Sequence, residues 1–221
     1  MRVVGGISSG SDSGELRTEI YDHSTQTWSF TGGHPLSFER IHHATTELAD
    51  GRVLVVGGAF NAGNLAEIYD PATQAWTLAG PLNQGRADHT ATLLSDGRVL
   101  AVGGDYDFFL NSTELFNLAT PTEKWTLGRK LSHERFEHTA TRLQDGKVLV
   151  VGSRARAASL SSCEVFDPDT GDWNDVGDLN EARTGHSAFL LYTGNVLVVG
   201  GYSSGRISLI RKRPGGPWGP L

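Results

Sequence analysis

Residues 86–104 read Arg86-Ala-Asp-His-Thr-Ala-Thr-Leu-Leu-Ser-Asp-Gly-Arg-Val-Leu-Ala-Val-Gly-Gly104 and decide the fold. Asp96-Gly97 separates two apolar runs, and this dipeptide predicts a hairpin of type I′, because that turn needs positive φ at both central residues. The second run, Val99–Val102, is apolar on both faces, which is typical of a strand buried between two sheets. The two glycines then end that strand, where the backbone bends or passes close to a neighbour.

The same stretch recurs along the chain with a period near 50 residues. The double glycine steps by 46, 49 and 48 residues (57 to 103 to 152 to 200), with Gly152-Ser153 as a degenerate copy and an earlier copy at Gly5-Gly6. Two further markers keep this phase: the tryptophans Trp28, Trp76, Trp125 and Trp173, and the Arg-x-x-His motifs that begin at Arg40, Arg86, Arg135 and Arg183. Three markers in phase over strand-like units predict an all-β propeller.

Each repeat continues with two more strand patterns. The third strand alternates polar and apolar residues and ends in an aromatic residue, as in Ala66–Tyr69 and Thr113–Phe116, and the fourth carries the tryptophan. A large apolar ring in every repeat is what packing between blades requires, so we interpret each tryptophan as an inter-blade plug. We also expect no helix longer than about two turns, since no segment keeps a 3.6-residue apolar period.

These units predict one domain over residues 1–221 with about five four-stranded blades. The approximate limits are 1–36, 40–82, 86–131, 135–179 and 183–221, with a degenerate tail at 202–221. The first unit supplies strands two to four and the last supplies strands one and two. The tail could provide the missing strand of the first blade, or the chain is a fragment of a six- or seven-bladed ring.

The order of these motifs resembles the kelch family. "ATLLSDGRVLAVGG" (91–104) and "AEIYDPATQAW" (66–76) look like the repeats of bacterial, galactose-oxidase-like kelch propellers, and the resemblance extends from residue 1 to about 201. It implies a binding module with a protein, peptide or glycan partner. It also favours an extracellular or cell-envelope setting, although the N-terminal residues show no signal peptide.

Composition excludes other classes of partner. The chain has 25 acidic and 19 basic residues, and a net charge of −6 argues against a nucleic-acid or membrane-surface binder, which needs a basic face. Apolar runs such as Val53–Val56 are far too short for membrane insertion. The single cysteine, Cys163, excludes an intrachain disulfide.

Strand order places the variable loops at one end of the propeller and the short, uniform turns at the other. The variable loops are Ile7–Leu16, Ala59–Leu65, Asp105–Ser112 and Arg154–Ser162. Recognition belongs on variable loops that a rigid scaffold holds. The unrepeated aromatics Tyr106, Phe108 and Phe109 are therefore the predicted binding anchors, with folding back onto the blade edge as the alternative.

The repeated arginines are a second set of candidate binding residues. At the start of each innermost strand, they could form a ring of positive charge around the channel mouth for an acidic ligand. The alternative, favoured because every unit repeats the motif, is that they satisfy backbone carbonyls between blades. The ring would consist of Arg40, Arg86, Arg135 and Arg183.

Catalytic signals are weak. Galactose oxidase, by resemblance, implies a copper site with a tyrosine linked to a cysteine, a second tyrosine and histidines. Cys163 instead stands at a position that Ala66 and Thr113 fill in sister repeats, and no His-x-His pair or Cys-His cluster has metal-ligand spacing. We therefore expect no catalytic residues, metal or cofactor. A galactose-oxidase-like or other carbohydrate-active enzyme, and a structural fragment of a larger propeller, remain the alternatives to a binding module.

Overall fold

A computed structural model describes residues 2–4, 16–31, 35–59, 62–155 and 158–203. The described part of the chain forms 17 strands in five antiparallel sheets and contains no α-helix, so the all-β prediction is confirmed. None of its elements is a helix that is long and apolar enough to cross a bilayer. Gly5-Gly6 and most of the predicted tail lie outside the described residues.

The sheets follow one another as meanders in chain order. The first contains β1 (Arg2–Val4), β2 (Thr18–Asp22) and β3 (Thr27–Phe30). The second contains β4 (Ala44–Glu47), β5 (Val53–Val56), β6 (Leu65–Asp70) and β7 (Ala75–Pro81). The third contains β8 (Thr90–Leu93), β9 (Val99–Val102), β10 (Thr113–Phe116) and β11 (Trp125–Leu127). The fourth contains β12 (Thr139–Arg142), β13 (Val148–Arg154), β14 (Ser159–Phe166) and β15 (Trp173–Val176), and the fifth contains β16 (Thr184–Leu190) and β17 (Val196–Tyr202).

The hairpins between the first two strands of a blade form as predicted, but their turn type is different. Gly97 has a φ of 86°, whereas Asp96 is not among the residues with positive φ. The amide of Leu94 bonds the carbonyl of Arg98 at 2.8 Å, and the amide of Gly97 bonds the carbonyl of Leu94 at 3.2 Å. This is a three-residue loop with glycine in the left-handed position, not a type I′ turn. The Asp96 carboxylate accepts a hydrogen bond from the Arg98 amide at 3.0 Å. This bond explains the preference for Asp at a position that does not require positive φ.

The core lies between neighbouring sheets rather than within one. Trp125 is 5% exposed and packs with Leu54 and Ile68 of the second sheet and Val99 and Phe116 of the third. Equivalent clusters join the first sheet to the second around Trp76 and the third to the fourth beside Trp173. These three tryptophans are therefore inter-blade plugs, as predicted. Trp28, on the first sheet, is 46% exposed.

The innermost strands β4, β8, β12 and β16 neighbour one another in that order. His138, at the start of β12, bonds across this row through Nε2 to the Thr90 hydroxyl of β8 at 3.0 Å. His186 makes the same contact with Thr139 at 2.9 Å. The Arg-x-x-His segments and the loops between second and third strands consequently meet at one end of the blades, which is where the candidate site lies.

Candidate functional site

The repeated arginines are buried ion-pair partners. Arg86 is fully buried, and its Nη2 lies 2.9 Å from Oε1 of Glu114, which is also fully buried. Its Nη1 donates to the carbonyls of Gly103 at 2.8 Å and Ser112 at 3.3 Å. Burial lowers the pKa of Arg86 from its ordinary value, and the charge of Glu114 opposes that shift. Through Nη1 and Nη2, the Arg86 guanidinium therefore links the start of the first strand to the second and third strands of the same blade.

Two sister repeats contain the same pair, which corrects the predicted charged ring. Arg40 with Glu67 and Arg135 with Glu164 are likewise fully buried ion pairs. A side chain that solvent cannot reach does not present its charge to a ligand. At Arg40, Arg86 and Arg135 the structure therefore supports the alternative interpretation, in which the arginines donate hydrogen bonds to backbone carbonyls.

Arg183 differs from the other three. Its Nη1 donates to the Gly200 carbonyl at 3.1 Å, but its side chain is 27% exposed and lies 3.8 Å from Glu181, which is largely exposed. Residues 202–221 contain no acidic residue, whereas each of the three sister repeats has a glutamate 27 to 29 residues after its arginine. This arginine alone among the four retains partial access to solvent.

The glutamates of these pairs were missed as partners at the sequence level, although a signal for them exists. Arginine and glutamate are separated by 27, 28 and 29 residues in the three repeats. Two opposite charges that recur in phase, one at the start of the first strand and one in the third, indicate an ion pair within the blade.

The double glycine links one blade to the next. Gly103 has a φ of 57°, and a Cβ added there would lie 2.3 Å from the carbonyl oxygen of Arg135 in the following blade. The amide of Gly104 donates to that same carbonyl at 2.8 Å. The glycines therefore allow a close backbone approach between blades, which is the role predicted for them.

The histidines of the repeat are also scaffold residues. Burial, with smaller contributions from Arg135 and His186, lowers the pKa of His138 to about 3, so the ring is neutral at physiological pH.

Cys163 is buried, and burial raises the pKa of its thiol. The sulfur donates a hydrogen bond to the Ser161 carbonyl at 3.5 Å. Within the described ranges, no group of three or more histidine, cysteine or acidic side chains is placed to hold a metal ion.

The loop at Asp105–Leu110 is firmly anchored at both ends. Asp105 and Ala87 exchange backbone hydrogen bonds of 2.7 and 2.9 Å, and the Leu110 amide donates to the Gly104 carbonyl at 2.9 Å. The Leu110 carbonyl in turn accepts the Arg135 amide of the next blade at 3.0 Å. The intervening residues are thus presented on a short, fixed loop.

The three predicted anchors have different surroundings. Phe108 is 81% exposed. Phe109 stacks on Phe136 of the next blade, with ring centroids 4.9 Å apart and planes inclined by 4°. Tyr106 is 47% exposed and lies across the neighbouring blade, where a Cβ on Gly63 would approach its ring to 2.2 Å. Phe108 therefore projects as a free anchor, whereas Phe109 and part of Tyr106 fold back onto the scaffold.

A cavity of about 250 Å³ opens beside Phe108. Three aromatic and three acidic residues line it: Asp105, Tyr106, Asp107, Phe108, Phe109 and Glu134. Burial, followed by the charge of Asp88, raises the pKa of Asp105. The acidic lining of this cavity, and Glu134 in particular, was not foreseen from the sequence, because Glu134 comes from the segment before the next blade.

The other predicted variable loops are described only in part. Ile7–Leu16 falls outside the described residues except for Leu16, and residues 60–61 and 156–157 are likewise outside them. The candidate site is accordingly the surface formed by Asp105–Phe109 and Glu134, called the aromatic–acidic pocket below.

Comparison with known proteins identifies the fold. No protein-family model matches the chain. It is 28% identical to a galactose oxidase of Gibberella zeae over 74 residues (32% of this chain, 10% of that protein). It is 30% identical to the Kelch-like protein terF of Aspergillus terreus over 93 residues (38% of this chain, 20% of that protein). The solved structure of YjhT superimposes with a TM-score of 0.75 at 16% identity, over 92% of this chain and 74% of that one.

The chain therefore has the kelch-type β-propeller fold, as its repeats predicted. The matches to the curated relatives span only 10% and 20% of their lengths.

Proposed function

We propose that this propeller is a binding module that recognises a protein, peptide or glycan through the aromatic–acidic pocket. The observation that carries the proposal is Phe108, a large apolar ring 81% exposed beside a cavity, on a loop that backbone hydrogen bonds hold at both ends. Exposed aromatic rings next to pockets are typical anchors of recognition surfaces.

The fixed loop favours binding energetically. Ordering a mobile side chain or loop on association costs free energy, and a preformed loop avoids most of that cost. Asp105 and Leu110 already bond the scaffold, and Phe109 already stacks on Phe136. A partner that covers Phe108 would therefore gain its apolar contact without first having to order the loop.

The alternative is a galactose-oxidase-like or other carbohydrate-active enzyme, which the similarity to galactose oxidase over 74 residues favours. Elemental analysis of the purified protein separates the two. Copper bound in a one-to-one ratio would support the enzyme, because that chemistry requires the metal.

The binding proposal is tested by selecting ligands without bias and then locating them. A random heptapeptide phage library and a glycan array are probed with the whole chain, and the tightest ligand is measured by calorimetry against variants. Phe108→Ser should weaken that ligand by about 1–3 kcal/mol, the range of an aromatic anchor.

The matched control is Tyr192→Ser. Tyr192 is 96% exposed, like Phe108 an accessible aromatic residue, but it lies in the turn between β16 and β17 at the other end of the blades. The proposal is wrong if the selected ligands bind the Tyr192→Ser variant more weakly than they bind the unmodified protein, while their affinity for the Phe108→Ser variant is unchanged.

A further inference from the structure

We propose that the aromatic–acidic pocket accepts a cationic side chain, an arginine or lysine, from a peptide or protein partner. This inference rests on the proposed function and adds the chemistry of the partner. Its first support is the lining, since three carboxylates and three aromatic rings converge there and none of the six lining residues is basic. Carboxylates pair with cations, and aromatic faces attract them.

The size of the cavity agrees with a single side chain. Its volume is about 250 Å³, below the roughly 300–1,000 Å³ typical of pockets for drug-sized ligands. Its lining combines the exposed ring of Phe108, which can contact the stem of a long side chain, with the carboxylates of Asp107 and Glu134, which can pair with a charged head. Arginine and lysine combine an apolar stem with a charged head in this way.

The surrounding charge strengthens the acidic character of the pocket. Burial, with smaller contributions from the charges of Asp88 and Glu137, raises the pKa of the Asp105 carboxyl group, and the charge of His42 opposes that shift. Asp88 is paired with His42 at 2.8 Å, and Glu137 accepts a hydrogen bond from the Thr184 hydroxyl at 2.9 Å. An incoming cation would relieve the repulsion among these carboxylates, which a neutral or acidic ligand cannot do.

A side chain of the protein itself already makes a cation–π contact beside the pocket. The Arg154 guanidinium lies 5.7 Å from the centroid of Phe136, the ring on which Phe109 stacks. This contact is an example, within the same aromatic group, of the interaction that we assign to the partner. Arg154 and His42 are two basic groups near the pocket, against five carboxylates at residues 88, 105, 107, 134 and 137. Arg86 and Arg135 also adjoin the loop, but each is buried and paired with its own glutamate.

The test uses four probes on the isotope-labelled whole chain. They are an acetylated, amidated seven-residue Gly/Ser peptide with one central arginine, the same peptide with citrulline or glutamate at the centre, and methyl β-galactoside. Citrulline keeps the shape of arginine without its charge. Amide chemical shifts are followed by two-dimensional NMR during each titration.

We expect the arginine peptide to give saturable shifts at residues 105–109 and 134, and the glutamate peptide and the galactoside to give none. The Kd of the arginine peptide should be about tenfold lower than that of the citrulline peptide, and added salt should weaken its binding, as screening requires. Glu134→Gln and Asp107→Asn should each raise the Kd about two- to fivefold, the range for losing one exposed charge partner. The control Asp169→Asn, an exposed carboxylate in the turn between β14 and β15, should leave the Kd unchanged.

Several results would overturn the inference. Equal binding of the citrulline peptide, or shifts at the pocket from the galactoside or the glutamate peptide alone, would preserve the site but reject the cation. Absence of shifts from every probe would reject the cation as well, while the loss of a library-selected ligand in Phe108→Ser would still support the binding site. Shifts from the arginine peptide that map to the Asp-Gly turns would reject both proposals.

Discussion

Neutralising one buried glutamate, Glu114→Gln, should destabilise the propeller severely. The Glu114 carboxylate accepts hydrogen bonds from Arg86 at 2.9 Å, from the amides of Asn83 and Gln84 at 2.8 and 3.0 Å, and from the Asn83 side chain at 2.9 Å. Glutamine has one carbonyl oxygen for these donors and places an NH₂ group against the others. The substitution therefore leaves a fully buried guanidinium without its counter-charge and at least one donor without an acceptor.

The expected loss is about 3–5 kcal/mol, the usual cost of breaking a buried ion pair by removing one partner. Domains are stable by only about 5–15 kcal/mol, so this change is a large fraction of the total. At a urea m-value of about 2 kcal/mol per molar, a loss of ~4 kcal/mol lowers the unfolding midpoint by about 2 M.

Urea unfolding followed by tryptophan fluorescence measures this shift. Glu123→Gln, the same substitution at an exposed position, should move the free energy of unfolding by less than about 0.5 kcal/mol. Arg86→Met in combination with Glu114→Gln should recover part of the loss, because the unpaired charge is gone. A Glu114→Gln variant that unfolds within about 1 kcal/mol of the unmodified protein would refute the assignment of this pair as a structural element.

Three further predictions concern the core and the loop. The pKa of His138 is about 3 in the folded protein, below the ordinary 6.5, so the unfolded chain binds more protons between those pH values and stability falls as the pH is lowered. The free energy of unfolding, measured with urea, should be ~2 kcal/mol lower at pH 5 than at pH 7 because of this residue alone. The difference between the two pH values should be smaller in His138→Asn. Trp125→Ala should lower the free energy of unfolding by about 3–5 kcal/mol, because it empties a site between two sheets, and a melting temperature within a degree of the unmodified protein would contradict that role. Phe108→Ser should leave thermal stability unchanged, whereas Phe109→Ser should cost about 1 kcal/mol or more through its stack on Phe136, and equal melting temperatures would show that the stack contributes nothing.

Repetition made the fold predictable from the sequence. The in-phase tryptophans located the inter-blade packing at Trp76, Trp125 and Trp173, but the same expectation is wrong for Trp28, which is 46% exposed. The hairpin turns were located correctly, but their type was not, because Asp-Gly fits both a type I′ turn and a three-residue loop in which only Gly97 has positive φ.

The candidate site was less predictable because it depends on contacts between repeats. The sequence alone left open whether Arg86 faces the channel or the blade, and the deciding partner, Glu114, lies 28 residues away. Phe108 and Phe109 are adjacent and chemically identical, yet only Phe109 meets Phe136 of the next blade. The acidic lining depends in the same way on Glu134, which precedes the next blade and lines the same cavity as Asp105–Phe109.

A crystal structure of the whole chain with the arginine-containing peptide tests the central claim most directly. The account predicts a guanidinium in the cavity beside Phe108, within hydrogen-bonding distance of Asp107 or Glu134. A peptide seated instead on the Asp-Gly turns near Gly97, with the cavity empty, would contradict it.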